Sequence, residues 1–140
     1  MSTLRNAIRE SFREEGVRCT SQRYAILEHL MTNTAHPTAE EIHRAINRRD
    51  PRASLATVYK ALHAMAKAGL IRELNLGGGS VRFESARARH HHFVCESCGR
   101  AEDVGWFEVP HDAVSNALGR RTLRYCEVLI RGRCEQCQAS

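Results

Sequence analysis

The sequence predicts an α+β protein of two small units, and three observations carry this prediction. Up to Gly69, four stretches place apolar residues at helical spacing. Two short apolar runs separated by three glycines follow, as in a β-hairpin. The remaining chain contains two Cys-x-x-Cys pairs, which are typical of zinc ligands. The predicted fold is therefore an N-terminal winged helix-turn-helix followed by a small α/β unit with a four-cysteine zinc site.

Two helices are predicted before the polar cluster at residues 32–34. The first ends at Gly16, and its apolar face consists of Leu4, Ala7, Ile8 and Phe12. Thr20 is the expected N-cap of the second helix, because its hydroxyl can accept from an N–H group of the first turn. The expected buried face of this second helix consists of Tyr24, Leu27, Leu30 and Met31.

A turn and a short third helix follow. The proline of His36-Pro37 biases the residue before it away from helical conformation, so the chain is expected to turn there. Thr38 and Glu41 have the spacing of a capping box, which opens the third helix. That helix closes before Pro51, and its inward residues are Ile42 and Ile46.

The fourth helix and the hairpin complete the first unit. Ser54 is the expected N-cap and Gly69 the left-handed stop of this helix. Its inward residues are Leu55, Val58, Leu62 and Met65. Its outward residues are Ala56, Thr57, Lys60 and His63, with Tyr59 at the flank. The hairpin runs over residues 70–76 and 80–84, and in this order of elements the fourth helix is the recognition helix.

The basic segment 86–89 is the expected hinge between a first domain, residues 1–85, and a second domain, residues 90–140. In the second domain, strand segments are expected at 93–94, 104–106 and 122–131. A helix is expected at 110–118, because a proline opens this segment and a glycine closes it. The second unit is therefore predicted to be α/β with a thin core.

Composition indicates a folded protein whose charge suits a polyanionic partner, although such a charge is also common in proteins that have none. The 140 residues include 21 Lys and Arg against 16 Asp and Glu, a net charge of +5. The first half contains the basic residues Arg44, Arg48, Arg49 and Arg52. Without an 18-residue apolar run or a signal-peptide core, we expect a cytoplasmic protein with no membrane partner. In that reducing compartment, six cysteines favour metal ligation over disulfides.

The cysteine pairs are the strongest local signal. Each pair presents two thiolates to one tetrahedral ion, and together the pairs complete a structural Zn²⁺ site. The predicted ligands are Cys95, Cys98, Cys134 and Cys137. A redox Cys-x-x-Cys pair and cysteines without a joint role are the alternatives. Cys19 and Cys126 lack such partners and are expected to be partly buried thiols.

A second cluster of ligand-type residues lies beside the first cysteine pair. On a strand, His90 and His92 point to the same face while His91 points to the other. The first two can therefore chelate one ion, and the carboxylates of Glu102 and Asp103 follow nearby in the sequence. A histidine-rich polar loop without a metal is the alternative.

These residues as a set resemble the ferric uptake regulator family over nearly the whole chain. The matching segments are 16–23, 36–39, 54–59, 82–84, His90-x-His92-x-x-Cys95-x-x-Cys98-Gly99, Asp103 and Cys134-x-x-Cys137. The resemblance implies a regulatory metal site, separate from the cysteines, that consists of His36, Glu84, His90, His92 and Asp103. Such nitrogen and oxygen donors suit Fe²⁺ or Mn²⁺ and also accept Zn²⁺.

The order of these ligands implies a mechanism. His36 and Glu84 precede the expected hinge, whereas the other three ligands follow it, so one ion would favour a closed arrangement of the two domains. In a homodimer, closure would set the spacing of two recognition helices over a palindromic DNA operator. Binding of metal and of DNA should therefore be positively and reciprocally coupled. The implied function is metal-dependent transcriptional repression.

The resemblance also implies DNA contacts. In the major groove these are Ser54, Ala56, Thr57, Tyr59 and Lys60. Near the backbone or minor groove they are Arg18, Gln22 and Arg23. The alternatives are that Tyr59 belongs to the core, since it flanks the apolar stripe, and that Arg23 makes a contact within its own helix.

A few positions indicate which branch of the family the sequence resembles. Asp103 resembles the peroxide-sensing branch, in which bound Fe²⁺ reacts with peroxide and a ligating histidine, here His90 or His92, is oxidised. Glu84 stands where that branch usually has aspartate, and Lys60 matches neither the asparagine nor the arginine of the two main operator preferences, so iron sensing stays an alternative. Zinc sensing ranks third, because no cysteine lies in the wing.

The sequence allows two further interpretations. A third ion site at His91, Glu108 and His111 is one of them, although Arg89 and Cys126 stand where relatives usually place histidines. A small metalloenzyme that uses the histidine cluster is a candidate from another class. The sequence contains no nucleophile elbow, His-Glu-x-x-His or phosphate loop, so we expect no enzyme.

Overall fold

The computed structural model describes residues 2–33, 35–48, 53–77, 79–86 and 90–138. The chain divides into two compact units, Met1–Arg87 and Ala88–Ser140. Of the predicted hinge, residues 87–89 lie outside the described residues, as do Thr34 of the polar cluster, Gly78 of the hairpin tip and residues 49–52. No helix within the described ranges combines the length and the apolar character needed to cross a membrane.

The first unit consists of four helices and a hairpin. The helices are α1 (Ser2–Glu14), α2 (Ser21–Thr32), α3 (Ala39–Asn47) and α4 (Leu55–Lys67). The antiparallel hairpin consists of β1 (Ile71–Asn75) and β2 (Val81–Ser85), with Glu73 paired to Phe83. This is the predicted order of elements of a winged helix-turn-helix.

The helix ends are held by the predicted capping residues. The hydroxyls of Thr20 and Ser54 accept from first-turn N–H groups, and Thr38 forms a full capping box with Glu41. Gly69, with φ of 88°, turns the chain from α4 towards β1 in a conformation that L side chains rarely adopt. Each cap satisfies backbone groups that the helix itself leaves without partners.

Replacing Thr38 by alanine should lower the free energy of unfolding by about 1 kcal/mol, because the first turn of α3 loses its side-chain acceptor. Urea titration followed by circular dichroism measures this change. Thr38→Ser keeps the hydroxyl and is expected to retain most of the stability. Equal losses in the two variants would show that the methyl group, and not the cap, matters at this position.

The core of the first unit lies between the helices and the hairpin. Its largest fully buried side chains include Ile8, Phe12, Ile26, Leu27, Ile42, Leu62, Met65 and Ile71. On α1, Ala7 is exposed, contrary to prediction. On α2, Ile26 replaces the predicted Met31, which is 36% exposed. The cause is that α2 contacts α1, α3, α4 and β2, so it buries more than a single stripe.

The second unit is built on a three-stranded sheet of order β4-β3-β5. The strands are β3 (His91–Cys95), β4 (Ala101–Val104) and β5 (Leu129–Gly132). β3 pairs antiparallel with β4 and parallel with β5. Two helices complete the unit, the predicted α5 (His111–Leu118) and the unpredicted short α6 (Glu135–Gln138).

Two strand predictions are wrong in extent. Of residues 104–106, only Val104 is in a strand, and of residues 122–131, only the last three belong to β5. Residues 122–128 have no regular secondary structure. Alternating apolar residues favour an extended chain, but a strand also needs a neighbour for its backbone hydrogen bonds. Within the described part of the second unit, residues 122–127 belong to no strand ladder. Val128 accepts a backbone hydrogen bond from the His92 N–H of β3, directly before β5 begins.

Candidate metal centres and nucleic-acid interface

The four predicted zinc ligands lie together in the second unit. Cys95 ends β3, Cys98 follows in a tight turn, and Cys134 and Cys137 come from the start and the body of the α6 segment. One sulfur from each lies within 4.8 Å of the others, and the Sγ atoms of Cys98 and Cys134 are 3.8 Å apart. Zn–S bonds of about 2.3 Å in a tetrahedron place sulfurs about 3.8 Å apart. The arrangement therefore fits one Zn²⁺.

Backbone groups prepare Cys95 for metal binding. The N–H groups of Cys134 and Cys98 donate to Cys95 Sγ at 3.3 and 3.5 Å, and they lower the pKa of Cys95 to about 6. The thiolate is the form that ligates metal. The thiol of Cys137 is hydrogen-bonded to Cys134 and Cys95, which raises its pKa to about 12. The lowered pKa thus favours the thiolate form of Cys95, one of the four sulfurs of the cluster.

The second unit also brings together two histidines and a carboxylate. His92 on β3 is paired with Asp103 on β4, and His90 lies two residues earlier on the same face. The Nε2 atoms of His90 and His92 are 3.1 and 4.0 Å from Asp103 Oδ1. Both histidines are buried, so their rings are fixed in place. Two imidazoles and a carboxylate form the donor set typical of non-haem Fe²⁺ sites.

The first unit brings together the remaining two predicted ligands. The Phe83 N–H donates to the Pro37 carbonyl at 2.9 Å, and Thr38 forms a bridge with Arg82. This pairing holds the turn before α3 against β2, so that ligand atoms of His36 and Glu84 lie within 4.8 Å of each other. Both side chains are buried, and His36 has a φ of 54°. Such backbone strain in a buried polar residue is typical of a functional site.

His91 has a structural role. Its Nδ1 accepts from the Val128 N–H and its Nε2 donates to the Phe107 carbonyl, each at 2.8 Å. The fully buried ring also stacks on Trp106, with centroids 4.5 Å apart. A metal would need the lone pair that the Val128 N–H occupies.

Apart from the four cysteines and the ligands named above, the described residues contain no further group of metal-type side chains close enough to hold an ion. His91, Glu108 and His111 therefore receive no support from the structure as an ion site.

The predicted DNA-facing residues of the α4 segment share one exposed surface. All five of these residues are exposed: Ser54, Ala56, Thr57, Tyr59 and Lys60. The exposed fraction of Tyr59 is 38%. Tyr59 is therefore not a core residue. Near α2, Arg18 is exposed, and the Arg23 guanidinium donates to the Arg18 carbonyl at 3.1 Å.

Two arrangements in the first unit were not predicted from the sequence. Arg5 and Arg9 of α1 line an open cleft together with Thr20, Ser21 and Tyr24, at the start of α2. Glu40 of α3 accepts a hydrogen bond from Tyr59. No short-range spacing signals either arrangement, because each joins residues of different helices. Helical periodicity places Arg5 and Arg9 on one side of α1 but does not say what that side faces.

The first unit has the capped helices and the hairpin wing of a winged helix, with an exposed face on α4, and the second unit has a four-cysteine centre. Together these features define a winged-helix regulator with a structural metal site. The family model described as the ferric uptake regulator family matches residues 14–117. The chain belongs to this family, so the resemblance seen in the sequence is confirmed.

Two curated relatives and one solved structure illustrate the match. The chain is 39% identical to the peroxide operon regulator of Bacillus subtilis over 130 residues, which is 91% of this chain and 89% of the relative. It is 35% identical to the peroxide-responsive repressor PerR of Staphylococcus aureus over 91% of this chain and 87% of that protein. The ferric uptake regulator of Helicobacter pylori shares the fold, with a TM-score of 0.74 at 24% identity, covering 99% of this chain and 94% of that one.

These relatives are transcriptional regulators, and the chain is accordingly a regulator and not an enzyme. The donor chemistry agrees with the expected cofactors. Four thiolates fit a structural Zn²⁺. The histidine and carboxylate donors fit a regulatory Fe²⁺ or Mn²⁺.

Proposed function

We propose that this protein is a metal-dependent, sequence-specific DNA-binding repressor that responds to peroxide through bound Fe²⁺, with Mn²⁺ as the alternative ion. The observation that carries the proposal is the pair of donor sets, the buried His36 and Glu84 in one unit and the buried His90 and His92 with the exposed Asp103 in the other. Two or three donors leave the coordination of such an ion incomplete, whereas all five donors together approach an octahedron.

Sharing one ion would couple the two units. Residues 1–85 would bind DNA, residues 86–89 would act as the hinge, and residues 90–140 would form the dimer and hold the zinc. The ion favours the conformation in which all five ligands bind it, since a ligand shifts an equilibrium only by its differential affinity. In a homodimer acting in the cytoplasm, that conformation presents two α4 helices to a palindromic operator.

Peroxide responsiveness is supported by the donor set and by the relatives. His90, His92 and Asp103 supply the two-histidine, one-carboxylate set of Fe²⁺ sites that react with oxygen species. The two curated relatives described above are named for their response to peroxide. The oxidation would insert one peroxide oxygen into a ring C–H bond of His90 or His92, and the other oxygen would leave as water.

Mass analysis of the Fe²⁺-loaded protein after mild peroxide treatment tests this proposal. We expect one added oxygen on the peptide that contains residues 90–92, together with loss of DNA binding. The Mn²⁺-loaded protein is the matched control and should remain unmodified and bound to DNA. If the Fe²⁺-loaded protein stays unmodified and bound, the iron-responsive function is the correct one, which Glu84 favours.

The DNA-binding surface is tested separately by Lys60→Ala. Because an exposed lysine that contacts a phosphate releases a counterion, we expect weaker binding to all duplexes and a salt slope reduced by about 1. Fluorescence anisotropy over a series of salt concentrations measures both quantities. Lys67→Ala removes the same charge from the last turn of α4 and should leave the slope unchanged. A slope that Lys60→Ala does not alter would remove Lys60 from the interface.

A further inference from the structure

A hydrogen bond joins the proposed recognition helix to the helix before it. The Tyr59 hydroxyl donates to Glu40 Oε1 at 2.8 Å, and both side chains are exposed. This bond is the main cause that lowers the pKa of Glu40 and raises the pKa of Tyr59. At neutral pH the carboxylate is thus an acceptor and the phenol a donor, which keeps the direction of the bond fixed.

The direction of this bond limits what Tyr59 can offer to DNA. A tyrosine hydroxyl has a single proton to donate, and here it donates that proton in the hydrogen bond to Glu40. Only lone pairs of the Tyr59 oxygen remain available, and the Glu40 carboxylate likewise has only lone pairs. The pair therefore cannot donate to a phosphate, to guanine O6 or N7, or to thymine O4. It requires a donor on the DNA.

Glu40 is also unfavourable by charge on a surface that faces phosphates, unless a contact offsets the repulsion. In the major groove, the donors are the exocyclic amino groups of cytosine N4 and adenine N6. Carboxylates accept from such groups, so a base contact provides the required compensation. Phosphate binding and base reading would then fall to different side chains, Lys60 and the Glu40–Tyr59 pair.

We propose that Glu40 is a specificity-determining residue, which accepts the Tyr59 hydrogen bond and so makes the pair select an exocyclic amino group of adenine or cytosine. This inference rests on the proposed function, in which α4 enters the major groove. In each half-site, the Glu40–Tyr59 pair contacts one base in this way. Removing the amino group of that base should weaken DNA binding only when the Glu40–Tyr59 hydrogen bond is present.

The probe is a DNA duplex selected from a random pool by the Mn²⁺-loaded wild-type protein. Single adenines are replaced by purine and single cytosines by 2-pyrimidinone, each of which lacks the amino group. We expect about a tenfold loss of affinity at one position of each half-site. Failure of the wild-type protein to bind any duplex would contradict the proposed function instead.

Four variants then test the role of Glu40. Glu40→Ala and Tyr59→Phe remove the bond and should reduce the tenfold preference to about twofold or less. Glu40→Gln removes the charge, but its amide oxygen still accepts the Tyr59 proton, so the preference should remain. Glu14→Ala on α1 is the matched control and should also retain the preference.

If Glu40→Ala and Glu40→Gln raise the affinity equally for duplexes of every sequence, then Glu40 acts only by repulsion. Retention of the full preference in Glu40→Ala would likewise overturn the proposal. An unfolding temperature equal to that of the wild-type protein shows that a variant is folded. A changed base preference in that variant then reports on the contact with DNA.

Discussion

Cys95→Ser is expected to lose the zinc and to unfold the unit from Ala88 to Ser140. Cys95 ends the central strand β3, and its sulfur accepts from the N–H groups of Cys98 and Cys134. It therefore ties both cysteine pairs to the sheet. Structural zinc contributes about 10–16 kcal/mol of apparent binding free energy, which equals or exceeds the whole stability of a typical domain. The three-stranded sheet and its thin core cannot supply a stabilising free energy of that size.

The zinc prediction is checked by metal content and by hydrogen exchange. Wild-type protein should carry one zinc per chain after gel filtration and the variant none, with rapid exchange throughout β3, β4 and β5. Cys126→Ser is the matched control in the same unit, because Cys126 is a half-buried thiol outside the cluster. Retention of zinc and of slow exchange in Cys95→Ser would show that the four sulfurs are not a structural metal site.

The contrast between these cysteines and the rest of the site shows what the sequence can predict. The caps at Thr20, Thr38 and Ser54 were predictable because each bond spans three residues and depends on local geometry alone. The Cys-x-x-Cys pairs are local in the same sense. For such features, residue type and spacing determine the contact before the chain is folded.

Contacts between distant elements were not predictable from spacing. The hydrogen bond from Tyr59 to Glu40 depends on how α4 crosses α3, and the structural role of His91 depends on Val128 reaching its ring. Leu123 and Tyr125 have the alternation of a strand, but residues 122–127 join no strand ladder in the described unit. Periodicity indicates which face is apolar, whereas packing decides what that face meets. The joint ligand set was likewise implied by family resemblance and not by spacing.

His90→Ala and His92→Ala are expected to abolish metal-activated DNA binding while the zinc is retained. Each change removes one buried imidazole from a set of two imidazoles and a carboxylate. Changes to groups that merely orient ligands cost 10–100-fold in metal affinity, so loss of a ligand should cost about 100-fold or more. The matched control is His111→Ala, which removes an exposed imidazole from α5 and should change neither metal nor DNA binding.

Reciprocal coupling makes this last prediction specific. If Mn²⁺ tightens DNA binding by some factor, then DNA must tighten Mn²⁺ binding by the same factor. Titrations of wild-type protein in both directions should give equal factors, and in His90→Ala and His92→Ala both factors should fall to one. If the variants bind Mn²⁺ more weakly but Mn²⁺ still tightens DNA binding by the wild-type factor, then these histidines bind an ion that does not control DNA binding. The sensing role would then belong to other ligands, since only a difference in affinity between two conformations can carry the signal.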